Sequence, residues 1–189
     1  MALTEEELKA HAYITLRSGE KFSYANPGPF LMSDIAESLA KTARFRGHTR
    51  GFYSVAEHSV FVAALAERDK QPTIVQRACL IHDAHEAYTG DVPSPLKWAC
   101  PAFKKLEDKV EHALLLALCP EIPPGTFQIV KRYDLEALYL EASMLFDPVP
   151  AWAKPERPYP FSRRLGESNW ESARFGFLRS ARALGFKVE

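Results

Sequence analysis

Four polar side chains interrupt apolar helical stripes in this chain, and their types are those that bind divalent transition metals. In the stretch TIVQRACLIHDAHEAYTG, Val75, Cys79, His82 and Glu86 follow 4, 3, 4 spacing and share one helical face. Asp83 lies beside His82 around that helix, so the two can converge on one point at the edge of the stripe. His58 continues a second stripe with Val55, Val62 and Leu65. Asp134 is flanked at helical spacing by Val130, Ala137 and Leu138, where an uncompensated carboxylate would be costly and a cation is needed. Taken singly, each also fits a hydrogen-bonded core or surface residue, because buried polar groups normally find partners. Together, two imidazoles and two carboxylates from three helices form a donor set suited to one ion of Mn, Fe, Co, Ni or Zn. Such an ion relieves every buried charge at once.

The elements that must position these residues are mostly helical. The apolar periodicity predicts helices near 5–11, 34–43, 55–68, 74–88, 102–118, 127–146 and 169–184. Capping-box pairs, in which a hydroxyl and a carboxylate or amide three residues on satisfy free N–H groups, occur at Thr4/Glu7, Ser54/Glu57, Thr73/Gln76 and Ser168/Glu171. Gly90 and Gly185 fall just past two C-termini, where a left-handed cap suits glycine. Ile14 to Tyr24, with Ser18-Gly19 at its centre, reads as a small β-hairpin, and Asp147 to Pro160, with five prolines, as an irregular crossover. The fold class is therefore all-α, a single helical bundle with a small N-terminal hairpin, in one domain spanning 1–189.

Composition narrows the function classes. The 189 residues are 47% hydrophobic, enough for one substantial core, and Lys plus Arg equals Asp plus Glu at 24 each. A zero formal charge disfavours duplex nucleic acid as a partner. Cys79, Cys100 and Cys119 show no CxxC spacing and no even-numbered framework, which fits a reducing, cytoplasmic setting. The longest strongly apolar run, Ala113 to Cys119, is far short of the roughly 20 residues that cross a bilayer, and the acidic start TEEE is unlike a signal peptide. No membrane partner is expected.

YSVAEHSV around His58, LIHDAHEAYTGDVPSPLK from Leu80 and YDLEA around Asp134 resemble the ordered H…HD…D signature of the HD-domain phosphohydrolases. Arg44-Phe45 upstream, Glu86 and the TGD of Thr89 to Asp91 further resemble the YfbR-type 5′-deoxynucleotidases, and RFRGHTRGFYSVAEHS a phage and prophage subgroup related to YfdR. The resemblance covers roughly residues 13–146. It implies His58, His82, Asp83 and Asp134 as ligands of one divalent ion (Mn, Co or Zn; also Fe or Ni), Glu86 as the catalytic carboxylate and Arg44 as the phosphate-binding catalytic partner. It also implies contacts of Arg44, Phe45, Thr89 and Asp91 with a small deoxynucleotide, and a homodimer. The implied reaction is hydrolysis of a 5′-monophosphate to deoxynucleoside and phosphate. The same residues would also serve a deoxynucleoside triphosphohydrolase, for example one acting on dATP, or a noncatalytic nucleotide-binding subunit.

Several positions keep two readings. Phe45 stands where the resembled enzymes carry Trp, and either shapes the nucleotide pocket or fills the core. Thr89-Gly90-Asp91 either faces the sugar or simply ends a helix. His85 occupies a slot usually small in the relatives, and an exposed helical position is the favoured reading over a place in the pocket. His48 and Arg50 contact base or phosphate, or are solvated loop residues; Lys97 reaches phosphate or is a solvated loop lysine. Two-metal members of the superfamily need further histidines before the last Asp. Apart from His85 that interval holds only His112, which falls off the stripe of Phe103, Leu106, Val110, Leu114 and Ala117, so one metal is expected. The C-terminal segment with Trp170 and Phe177 either closes the core, the favoured option, or forms an interface.

Overall fold

The computed structural model describes residues 13–160 and 165–189. The expected helix over 5–11 and the Thr4/Glu7 cap lie outside the described residues. The chain runs β1 (Tyr13–Thr15), β2 (Lys21–Ser23), α1 (Met32–Lys41), a 3₁₀ turn (Arg44–Gly47), α2 (Val55–Arg68), α3 (Thr73–Ile81), α4 (Glu86–Thr89), α5 (Ser94–Ala99), α6 (Pro101–Leu118), α7 (Thr126–Leu145) and α8 (Trp170–Ala183). The all-α expectation with one small hairpin holds.

Helix α2 is central and packs against α1, α3, α7 and α8. Val55, Ala56, Phe61, Val62, Ala63, Leu65 and Ala66 are all buried, so this helix is apolar around most of its girth, as a helix surrounded by others must be. Each large side chain such as Phe61 or Leu65 contributes about 1.5–3 kcal/mol by leaving water. Its start is fixed by a complete capping box: Ser54 Oγ accepts from Glu57 N at 3.2 Å and Glu57 Oε2 accepts from Ser54 N at 3.0 Å. His58 follows one turn later and is fully buried.

The hairpin pairs Tyr13 with Ser23, Ile14 with Phe22 and Thr15 with Lys21. Its tip is tied to the start of α1, where Asp34 accepts from Ser18 N at 2.9 Å and from Ser18 Oγ at 2.6 Å. Phe22 stacks on Tyr88 with ring centroids 4.1 Å apart, and Tyr24 Oη donates to the Tyr88 carbonyl at 2.5 Å, so the hairpin braces α4. The crossover from Asp147 to Pro160 is irregular, as its prolines require, and Arg157 Nη2 clamps it to Glu136 Oε2 at 2.6 Å and Asp69 Oδ2 at 3.0 Å. Helix α8 buries Ala173, Phe177, Leu178 and Ala181 against α1 and α2, while Trp170 is half-buried beneath the Lys41 ammonium. Core packing is thus its role in the fold.

Three expectations need correction. The helix over 74–88 is broken: α3 stops at Ile81, and residues 82–85 form tight turns with Ala84 N donating to Ile81 O and Glu86 N to Asp83 O. The cause is a side chain that competes with the backbone. His82 Nδ1 donates to the Cys79 carbonyl at 2.7 Å, taking the acceptor that a continuing helix would give to the next turn. Thr73 and Ser168 are not N-caps; Pro72 and Asn169 hold those positions, with Asn169 accepting from Ser172 N. Gly90 lies at φ 81 and ψ 157, positive but outside the left-handed helical region. Helix α5, between two prolines, was not expected.

Candidate metal centre and active site

The convergence expected from spacing is present, but only His58 and Asp134 reach it from helices, α2 and α7; His82 and Asp83 stand in the turns just past α3. His58 Nε2 lies 3.2 Å from His82 Nε2, 3.4 Å from Asp83 Oδ2 and 3.4 Å from Asp134 Oδ1. His82 Nε2 lies 3.2 Å from Asp83 Oδ2 and 3.8 Å from Asp134 Oδ1. Around an ion with bonds of about 2.1 Å, neighbouring ligands stand roughly 3.0–3.4 Å apart, so His58, His82 and Asp134 approach the spacing of one coordination sphere, while Asp83 closes on the two imidazoles. Both rings are aimed by their other nitrogen: His58 Nδ1 donates to Glu141 Oε1 at 2.6 Å and His82 Nδ1 to the Cys79 carbonyl at 2.7 Å. That leaves each Nε2 facing inward, the arrangement by which proteins orient metal-binding imidazoles. His58, His82 and Asp134 therefore form a donor set that could hold a divalent ion, with Asp83 beside the imidazoles.

Electrostatics of the centre follow from crowding opposite charges out of water. Burial alone would disfavour a charged His82, yet Asp83 and Asp134 hold its pKa up at about 9. Burial would likewise raise the carboxyls of Asp83 and Asp134, but the two imidazoles pull both far below the usual carboxylate range. Asp134 also accepts from the exposed Lys131 through Oδ2 at 2.6 Å, leaving Oδ1 toward the histidines.

Arg44 and Glu86 flank this quartet. An isolated antiparallel bridge joins Ala43 to Ser54, and Arg44 N donates to Tyr53 O, so the segment before α2 fixes where the guanidinium starts. Phe45 and Arg46 follow with φ of 53° and 55°, a left-handed pair that costs about 1–2 kcal/mol per residue. Arg44 Nη1 reaches Asp83 Oδ2 at 3.3 Å and Nε faces Glu141 Oε2 at 3.4 Å. Burial works against its charge, but Glu141, Asp83, Asp91 and Glu86 together raise its pKa. Glu86 is buried, with Oε2 lacking a hydrogen-bond partner among the described residues. Burial first, then Asp83 and Asp91, push its carboxyl well above the usual range. Asp91 is half-buried and raised chiefly by burial.

The other expected positions divide. Phe45 is half-buried, edge-on to Phe146 at 5.2 Å. Thr89 Oγ1 donates back to the His85 carbonyl at 3.2 Å, so only its lone pairs remain for another partner. Arg50 is exposed and tied to the end of α7: Nη2 donates to Met144 O at 2.6 Å and its amide to Leu145 O, closing the C-terminus of that helix. His48 is exposed, as is His112. The reading of His85 as exposed is wrong, since it is buried with Nε2 3.5 Å from Glu107 Oε1. Lys97 is not a solvated loop residue either; it lies on α5 with Nζ 2.7 Å from Glu107 Oε1. His82, Asp83, Asp134, His85, Lys97 and Glu107 all line one cleft of about 340 Å³, within the range of small-molecule sites.

Two buried carboxylates were missed. Glu141, fully buried, accepts from His58 and from Tyr53 Oη at 2.9 Å. It sits seven residues after Asp134 and continues the face of Ala137, a polar interruption of the same kind that betrayed the aspartate. Glu107, 1% exposed, sits three residues before Val110 on the α6 stripe.

Comparison with known proteins identifies a family. A family model described as 5′-deoxynucleotidase YfbR-like matches residues 48–137, a span that contains all four converging side chains and Glu86. The uncharacterized protein YfdR of Escherichia coli (strain K12) is 36% identical over 132 residues, 69% of this chain and 70% of its own. An uncharacterized protein of Rhodobacter capsulatus is 35% identical over 144 residues, 71% of this chain and 73% of its own. A 5′-deoxynucleotidase of Pasteurella multocida is 30% identical over 118 residues, 47% of this chain and 60% of its own. Because the match to YfdR exceeds two thirds of both chains and the family model spans the convergent donors, the chain belongs to the YfbR-like 5′-deoxynucleotidase family.

Proposed function

We propose that the protein is a metal-dependent phosphohydrolase of the HD type, one domain over 1–189, that cleaves 5′-deoxynucleoside monophosphates to deoxynucleoside and inorganic phosphate. The observation that carries this reading is the approach of His58 Nε2, His82 Nε2, Asp83 Oδ2 and Asp134 Oδ1 to within 3.2–3.8 Å along the pairs above, with both rings locked by their second nitrogen. These four would hold one ion of Mn, Co, Zn, Fe or Ni. Bound there, the ion supplies Lewis acidity that makes water nucleophilic near neutral pH.

The chain's own residues account for the remaining steps. Glu86, whose Oε2 is free of protein partners, takes the proton of the attacking water. The water oxygen bonds to phosphorus, the bond from phosphorus to the 5′ oxygen breaks, and that oxygen leaves with a proton as the nucleoside hydroxyl. Arg44 offers its planar fork to the phosphoryl oxygens beside Asp83. Asp91 accepts from the sugar 3′-hydroxyl, Thr89 lines the same side, and Phe45 presents its ring to the base. The free thiols of Cys79, Cys100 and Cys119 support a cytoplasmic setting, and no helix among the described residues is long and apolar enough to cross a membrane.

The test is phosphate release from a panel of deoxy- and ribonucleotides with Mn²⁺, Co²⁺ or Zn²⁺, with the nucleoside product identified by chromatography. Turnover of 5′-deoxymonophosphates is expected, and Glu86→Ala should abolish it while metal content stays near that of the wild type. Absence of turnover with every nucleotide and ion would refute the reading. Release of triphosphate from deoxynucleoside triphosphates alone would replace it with the triphosphohydrolase.

A further inference from the structure

A second buried cluster adjoins the four donors and takes no part in holding them. Glu107 Oε1 lies 2.7 Å from Lys97 Nζ and 3.5 Å from His85 Nε2, and Lys97 Nζ lies 3.6 Å from Glu86 Oε1. Donor atoms of His85, Glu86 and Glu107 fall within 4.8 Å of one another, and all three residues are buried. Ligands on opposite sides of an ion with bonds of about 2.1 Å stand roughly 4.2 Å apart, and His85 Nε2 and Glu107 Oε1 at 3.5 Å already lie inside that span. Glu86 Oε2 and His85 Nδ1, both on residues at least nine-tenths buried, have no hydrogen-bond partner among the described residues.

The buried Glu107 carboxylate, set beside buried Glu86, demands positive charge. The group that meets the demand is the Lys97 ammonium, carried in from α5 and held between Glu107 and Glu86. An ammonium is a compact point charge on a flexible stem, able to stand where a small ion would. Lys104, from the first turns of α6, adds a weaker contact with Glu107 Oε2 at 3.5 Å from the solvent side.

We propose that Lys97 fills the place of a second divalent cation between His85, Glu86 and Glu107, and thereby holds this chain to one metal ion. The inference rests on the proposed function only for the first ion, in the quartet; the second position stands on its own geometry. Vacating it should turn the cluster into a metal site of one imidazole and two carboxylates, chemistry that suits Mn²⁺.

The experiment counts ions. Chelator-stripped wild type and Lys97→Ala are dialysed to equilibrium against Mn²⁺, and metal per chain is measured by mass spectrometry. K97A should bind one more ion than the wild type, and the double variant K97A/E107Q should return to the wild-type count. Lys97→Ser provides a second vacated site with a polar replacement, and circular dichroism establishes that each variant is folded. The proposal is overturned if folded K97A and K97S gain no ion, or if the extra ion survives E107Q. A wild-type chain that already holds two ions, one of them lost in E107Q, overturns it equally. A wild type without any ion removes the quartet reading instead, and the gain in K97A then still decides this one.

Discussion

Replacing Glu141 by Gln keeps the side-chain volume and removes one buried charge. His58 Nδ1–H would then donate to an amide oxygen in place of the carboxylate now 2.6 Å away. Burial favours a neutral Glu141, but His58 and Arg44 outweigh it and hold the carboxyl below its ordinary pKa, so an ionised acceptor is what the substitution removes. Hydrogen bonds to charged groups contribute about 1.5–3 kcal/mol against about 1 kcal/mol for neutral ones. The difference, together with the looser aim of the ring, corresponds to the roughly 10- to 100-fold loss of metal affinity seen when such outer partners are changed. Arg44 would also lose the charge facing its Nε at 3.4 Å and keep only Asp83 at 3.3 Å. Calorimetric titration of Mn²⁺ into stripped wild type and E141Q measures the first effect, and urea unfolding the second. A folded E141Q that binds Mn²⁺ within about twofold of the wild type would refute the argument that Glu141 aims His58. Glu141→Ala is the poorer probe, because it removes the acceptor of His58 altogether and opens a cavity.

Three further outcomes are expected. Stripping the metal should lower the melting temperature: at free ion about 100 times Kd, binding adds about 2.7 kcal/mol, or roughly 5–10 °C for a chain of this size. Scanning calorimetry with and without chelator checks this, and superimposable scans would count against an ion bound to the folded state. Gly51→Ala should destabilise by about 1–3 kcal/mol, because the added Cβ would lie 2.6 Å from the Gly166 carbonyl oxygen, a backbone atom that cannot swing aside; unchanged urea unfolding would contradict it. Glu107 provides a pH signature. Burial would raise its carboxyl, but His85 and Lys97 hold it down at about 2. Its contribution is therefore complete above the ordinary carboxylate range and disappears as pH falls through that range toward about 2. The stability gap between wild type and E107Q should narrow over that interval, and a gap independent of pH would be the contrary result.

The meeting of His58, His82 and Asp134 was legible because each breaks an apolar stripe at helical spacing, a pattern set by local geometry, and Asp83 follows as the neighbour of His82. Ser54 and Glu57 were legible for the same reason, since a capping box is closed within four residues. What escaped notice was set by distant partners. Glu141 and Glu107 interrupt stripes just as Asp134 does, but helical charges are usually solvated, and the partners that justify their burial lie 83 residues away at His58 and ten residues away on another helix at Lys97. His85 is buried against Glu107 of α6, a contact between residues of separate elements that helical spacing does not reveal. The break at His82 carries neither Gly nor Pro; it follows from a ring capturing the Cys79 carbonyl, which propensity does not encode.

The two imidazoles of the quartet owe their aim to acceptors of different kinds. The oxygen that steers His82 belongs to the main chain of Cys79, and every residue type supplies that oxygen, so no codon change at position 79 deletes it. His58 depends on a carboxylate that one base change can abolish. Genetic drift therefore threatens the two rings unequally, and in a saturation screen for metal retention position 141 should be intolerant while position 79 accepts small apolar replacements.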